Sequence, residues 1–199
     1  MIARQTVLRP LAIVGALLTG IAPASAHGFA GPGWLHPLTG PDHMLAMLAV
    51  GAWSAQVGGR AIWIVPSAFV GAMTLGGALG LSGIAVPATE MGIALSVLCL
   101  GAVIAAESRV ANPLAAIAVG LFGLCHGSAH GLEMPASQNP LGYAVGFLAT
   151  TAGLHVIGAV LALLLLNRRK GRMALRLGGA ATSLAGVAFA LPLVGLPVP

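Results

Sequence analysis

With 58% hydrophobic and only 7% charged side chains, the 199-residue chain has too little polar material to cover a water-soluble globule, and it reads as an all-α membrane protein. The net charge of +5 invites a nucleic-acid reading, but the basic residues are scattered over short segments without interleaved aromatics. Lipid headgroups are the better match for them, and no nucleic-acid partner is expected.

Residues 1–26 have the make-up of a cleaved signal peptide: Arg4 and Arg9 at the start, an apolar run from Leu11 to Ile21, and Ala24-Ser25-Ala26 as a small-x-small cleavage site. Cleavage after Ala26 would leave His27 as the new N-terminus. There an α-amine and an imidazole on one residue form a candidate chelate, the plain alternative being an ordinary histidine at a chain end. Residues 27–199 then read as one domain of six transmembrane helices, over approximately 41–57, 61–81, 88–106, 113–131, 141–166 and 173–196.

The first span opens on His36-Pro37-Leu38-Thr39-Gly40-Pro41-Asp42-His43, two imidazoles and a carboxylate at the mouth of an apolar segment. Pro41 suits a first helical turn, which sets Asp42 and His43 at the helix start and His36 on the loop before it. Imidazole and carboxylate together suit first-row transition metals. Met44 and Met47 follow, either as soft thioether ligands or as ordinary packing, and Trp34 reads as an interfacial anchor.

In the second span Gly76 and Gly80, and in the fourth Gly123, Gly127 and Gly131, recur at four-residue spacing, which lets helix backbones approach closely. Gly80-Leu81-Ser82-Gly83 matches the Gly-x-Ser-Gly of rhomboid intramembrane proteases, in which a serine and a histidine act together. Glu90 falls at the start of the third span. Cys99 and Cys125 sit at unequal depths, which argues against a disulfide, and Cys125 beside His126 is also a candidate ligand.

A second constellation, His126-Gly127-Ser128-Ala129-His130-Gly131-Leu132-Glu133, ends the fourth span. His126 and His130, four residues apart, project from one helical face and suit one ion. Pro135 disfavours helix at Met134, so Glu133 ends the helix or enters the loop, free to fold back over the site. His155 lies near the midplane of the fifth span, as a deep relay for an ion or as an interhelical hydrogen-bonder with Thr150 or Thr151.

Arg60, Arg109 and the cluster Arg168, Arg169, Lys170, Arg172 and Arg176 fall on one side if the spans alternate, and the opposite loops carry no Lys or Arg. The positive-inside rule makes that side cytoplasmic, in agreement with a cleaved signal that leaves both mature termini outside.

The motifs His36-Pro-Leu-Thr-Gly-Pro-Asp42-His43, continued by Met-Leu-Ala-Met-Leu-Ala-Val-Gly, and His126-Gly-Ser-Ala-His130-Gly-Leu-Glu133-Met-Pro closely resemble the HupE/UreJ family. These are bacterial membrane proteins associated with hydrogenase and urease and regarded as nickel or cobalt permeases. The resemblance runs over essentially the whole chain. It implies metal transport by His36, Asp42 and His43, with His126, His130 and Glu133 as the second motif. The broader nickel/cobalt transporters carry His-x4-Asp-His, whereas here five residues separate His36 from Asp42, so geometry does not transfer from that group.

The expected function is therefore a secondary permease in the cytoplasmic membrane, taking up Ni²⁺ or Co²⁺ as substrate for hydrogenase or urease maturation. No Gly-x4-Gly-Lys-Ser/Thr loop occurs, so this chain carries no ATP-binding motif, and no cofactor is expected. Residue types alone leave open a non-transporting metal sensor or assembly accessory, the choice between nickel and cobalt, homo-oligomerisation, and whether the two clusters form one site or two. The Ser/His protease is the other alternative, although it leaves most of the histidines unused, and no His-Glu-x-x-His helix indicates a zinc enzyme.

Overall fold

The computed structural model describes residues 32–196. The signal segment and His27 lie outside the described residues. Seven helices follow one another: α1 (His36–Thr39), α2 (Pro41–Val57), α3 (Ala61–Leu81), α4 (Thr89–Ala105), α5 (Asn112–Leu132), α6 (Pro140–Leu166) and α7 (Gly171–Ala190), with a 3₁₀ turn over Pro192–Val194. No strand occurs among the described residues.

Proline and glycine punctuate the helices. Pro37, Pro41, Pro113 and Pro140 all stand in first turns, where a missing N–H costs nothing. Asn139 caps α6, its Oδ1 accepting the Gly142 N–H at 2.9 Å. Gly58 closes α2 at φ +78°, a left-handed geometry that favours glycine.

Two sequence expectations need correction. His36 opens the one-turn helix α1 instead of lying on a loop, and Thr39 Oγ1 donates back to the His36 carbonyl at 3.2 Å. The last apolar segment is also not one helix to residue 196: α7 stops at Ala190, and Pro192 turns the chain into the 3₁₀ segment.

Four helices are long and apolar enough to cross a membrane: α3, α5, α6, and α7 with its following turn. At about 1.5 Å per residue, α2 and α4, each of 17 residues, reach about 26 Å, a little under the ~30 Å hydrocarbon thickness. The burial pattern is that of a multi-pass membrane protein. Trp63, Leu75, Ile117, Leu121, Val156 and Leu177 are exposed, while His43, Ser96, His126, His130, Thr151 and His155 are buried.

The helices associate mainly as three pairs, α3 with α5, α4 with α7, and α2 with α6, with α2 also touching α3, α4 and α7. Small residues make the pairs close. A Cβ added at Gly127 would run into the Met73 carbonyl, and one at Gly76 into the Leu124 carbonyl, so α3 and α5 touch backbone to backbone through the glycines that recur at four-residue spacing. In α2, Gly51 lies against the His155 carbonyl of α6 in the same way.

Gly127→Ala therefore forces two backbones apart and is expected to cost about 1–3 kcal/mol, lowering the unfolding midpoint in detergent by roughly 2–10 °C. Gly153→Ala, whose Cβ meets nothing within 4 Å, is the control that should leave the midpoint unchanged. Equal midpoints for the two variants would refute the close approach.

Candidate metal centre

The site begins at the N-terminus of α2. Asp42 lies in its first turn, and its Oδ1 accepts both the backbone N–H of His43, at 2.8 Å, and the His43 ring Nδ1–H, at 2.9 Å. A carboxylate only accepts, so the contact puts a proton on Nδ1, and in the neutral ring that binds metal Nε2 is the bare nitrogen. Asp42 thus spends Oδ1 on orienting His43, as carboxylates do behind metal-bound imidazoles. Gly40 keeps this corner open, since a Cβ there would lie 3.1 Å from Asp42 Oδ1.

On α5, the glycines at 123, 127 and 131 face α3, and the residues between them, His126 and His130, are fully buried. Their rings lie 4.7 Å and 5.0 Å from the His43 ring, centre to centre. His36 adds a fourth imidazole, 5.4 Å from His43 and 4.7 Å from His130. Glu133, the first residue beyond α5, turns back so that its Oε2 is 3.4 Å from His36 Nε2. The two sequence constellations therefore form one cluster.

Burial, and after it the neighbouring His43, lowers the His36 pKa to about 4, against the pull of Asp42. The contact between His36 and Glu133 is thus made by a neutral ring and is not an ion pair.

Aromatic rings close the cluster on its inner side. Phe147 stacks on His130 at 4.7 Å, and Phe69 lies 5.3 Å from His126. Beyond Phe69 is His155, whose ring meets it edge-on at 5.2 Å. His155 is about 22 Å along α6 from Pro140 at ~1.5 Å per residue. The partners expected for it are engaged elsewhere: Thr150 Oγ1 donates to the Trp34 carbonyl at 2.9 Å, and Thr151 Oγ1 to Met47 Sδ at 3.3 Å.

Six buried nitrogens of these rings have no hydrogen-bond partner: His43 Nε2, His126 Nδ1, and both nitrogens of His130 and His155. Buried polar atoms are ordinarily paired, so these nitrogens need donors and acceptors that the other side chains do not supply. The rings stand close without converging. Among the described residues, no group of three or more His, Cys, Asp or Glu side chains stands ready to hold an ion. Ligation therefore requires the imidazoles to turn toward a common point.

Two of the remaining candidates have contacts of their own. Cys125 Sγ faces the Gly92 position of α4, and Met47 already accepts the Thr151 hydroxyl. The protease alternative finds no dyad: Ser82 is exposed and donates to the Ala78 carbonyl at 2.9 Å, while His155 is buried without a hydrogen-bond partner. Phe69, Phe147 and Ser96, the last with its Oγ 3.0 Å from His126 Nε2, escape sequence reasoning because Phe and Ser are common in apolar helices.

The family model described as HupE / UreJ protein matches residues 11–189, and so includes both histidine motifs. The chain belongs to the HupE/UreJ family. Within it, the chain is similar to Protein HupE of Rhizobium leguminosarum bv. viciae, at 47% identity over 174 residues, which cover 84% of this chain and 91% of the relative. No solved structure matches. Membership bears out the resemblance carried by the two motifs, and it joins their residues to a family of membrane proteins.

Proposed function

We propose that this HupE/UreJ member is a secondary permease that takes up Ni²⁺ or Co²⁺ across the bacterial cytoplasmic membrane for hydrogenase or urease maturation. In this reading α2 to α7 are six spans, the histidine cluster faces outward, and the basic ends carrying Arg60, Arg109 and Arg168 to Lys170 face the cytoplasm. The observation that carries it is the set of imidazoles with unpartnered nitrogens: His43, His126 and His130 near one end of the bundle, with His36 against them, and His155 beyond Phe69. A surface sensor has no use for the deep histidine. His36, Asp42, His43, His126, His130 and Glu133 form the outer site, His27 is a further candidate at the mature N-terminus, and the bilayer is the other partner.

A membrane potential suffices as the driving force. Two charges crossing 100 mV release on the order of 4.6 kcal/mol. The test is ⁶³Ni²⁺ uptake by proteoliposomes containing only this protein, with an imposed potential. Accumulation above the external concentration is expected, and binding without accumulation would overturn the proposal.

The pH response at His36 follows from its burial. A ligand imidazole must be neutral, and a pKa of about 4 keeps His36 neutral throughout the mildly acidic range. The ordinary histidine value alone would place its loss below about pH 6. The sign is that metal affinity at His36 falls only as pH drops through about 4. The fold-loss in uptake caused by His36→Ala should therefore be the same at pH 7.5 and pH 5.5. A gap that closes by pH 5.5 would contradict it.

A further inference from the structure

We infer that Ser96 of α4 fixes the tautomer of His126 so that Nδ1 is the nitrogen offered to the metal ion, an inference that rests on the permease reading above. Ser96 and His126 are both fully buried. Ser96 Oγ lies 2.6 Å from the Ile93 carbonyl oxygen and 3.0 Å from His126 Nε2. A hydroxyl has one hydrogen. Two oxygens at 2.6 Å need that hydrogen between them, because a carbonyl has none to give. The hydroxyl therefore presents a lone pair to His126, and Nε2 must carry the proton that donates to it.

The other nitrogen is then bare, and His126 Nδ1 is among the buried atoms with no hydrogen-bond partner. The arrangement is the converse of the one at His43, where Asp42 takes the Nδ1 proton and leaves Nε2 bare. The neighbouring rings of α2 and α5 are thus set in opposite tautomers by two different residues, one a carboxylate on the same helix and one a hydroxyl on a third helix. Ser96 is sealed from solvent, its hydroxyl engaged by the Ile93 carbonyl and His126. It acts as a positioning residue through His126, and it gives α4 a part in the site.

The test uses the full-length protein in detergent with ¹⁵N-labelled histidine, first without metal. The His126 resonances should show a protonated Nε2 and an unprotonated Nδ1 in the wild type, a mixture of tautomers in Ser96→Ala, and the wild-type pattern again in Ser96→Thr, which keeps the hydroxyl. Ni²⁺ affinity should fall about 10–100-fold in Ser96→Ala and recover in Ser96→Thr, the range for residues that orient a ligand. Unchanged unfolding midpoints exclude misfolding as the cause, and if Ser96→Thr misfolds, the wild-type and Ser96→Ala spectra decide. A wild-type His126 protonated on Nδ1, or a Ser96→Ala protein with the wild-type tautomer and affinity, overturns the inference. Failure of the wild type to take up nickel would instead overturn the permease reading, since the tautomer is read without metal.

Discussion

His43→Ala is expected to weaken Ni²⁺ binding by about 100-fold, close to 2.7 kcal/mol, the largest loss from a single substitution in the cluster. His43 is the hub: His36, His126 and His130 all have ring contacts with it, and its Nε2 is bare because Asp42 holds the proton on Nδ1. Alanine removes the ligand and also leaves Asp42 Oδ1 without its ring partner. Asp42→Asn is the informative companion. An amide oxygen still accepts from Nδ1–H, so if Asp42 serves only to orient and polarise the ring, the loss should be smaller, about tenfold. Titration calorimetry on the purified protein measures both. Equal losses would make Asp42 a direct ligand, and an unaffected His43→Ala would remove the cluster from metal binding altogether.

His155→Ala should separate binding from movement. His155 has its ring contact with Phe69 and none with the outer imidazoles, so equilibrium binding of Ni²⁺ should stay within about threefold of wild type. Uptake into proteoliposomes should fall about tenfold or more, because the ion loses its ligand beyond the aromatic ring, and a bare divalent cation in an apolar passage faces a desolvation cost of several kcal/mol. Uptake at the wild-type rate would mean that the route bypasses His155. A parallel loss of binding and uptake would mean that His155 belongs to the outer site.

The helical character and the two ligand constellations were legible because each rests on local chemistry. Proline in a first turn starts α2, and a four-residue spacing sets His126 and His130 on one face whatever surrounds them. The union of the two constellations was not legible. It depends on His43 of α2 meeting His126 and His130 of α5, a long-range juxtaposition that no local spacing specifies. The helix that holds His36 is invisible in the sequence because four residues carry too little periodicity to announce it. Ser96 and Phe69 carry no sequence signal of their own. Their residue types are unremarkable in apolar helices, and their meaning lies in what stands 3.0 Å and 5.3 Å away.

The backbone contacts of Gly51 and Gly127 divide the polar groups between two stiff bodies. His36, Asp42, His43 and His155 belong to the α1, α2 and α6 body, whereas Phe69, His126, His130 and Glu133 belong to the α3 and α5 body. The cluster and the deeper histidine thus lie along one seam. Helices in backbone contact cannot slide without collision, but the seam is packed by side chains, which can change rotamer. In the proposed permease, an ion held from both sides would fasten the two bodies together, and its ligands would be divided between them.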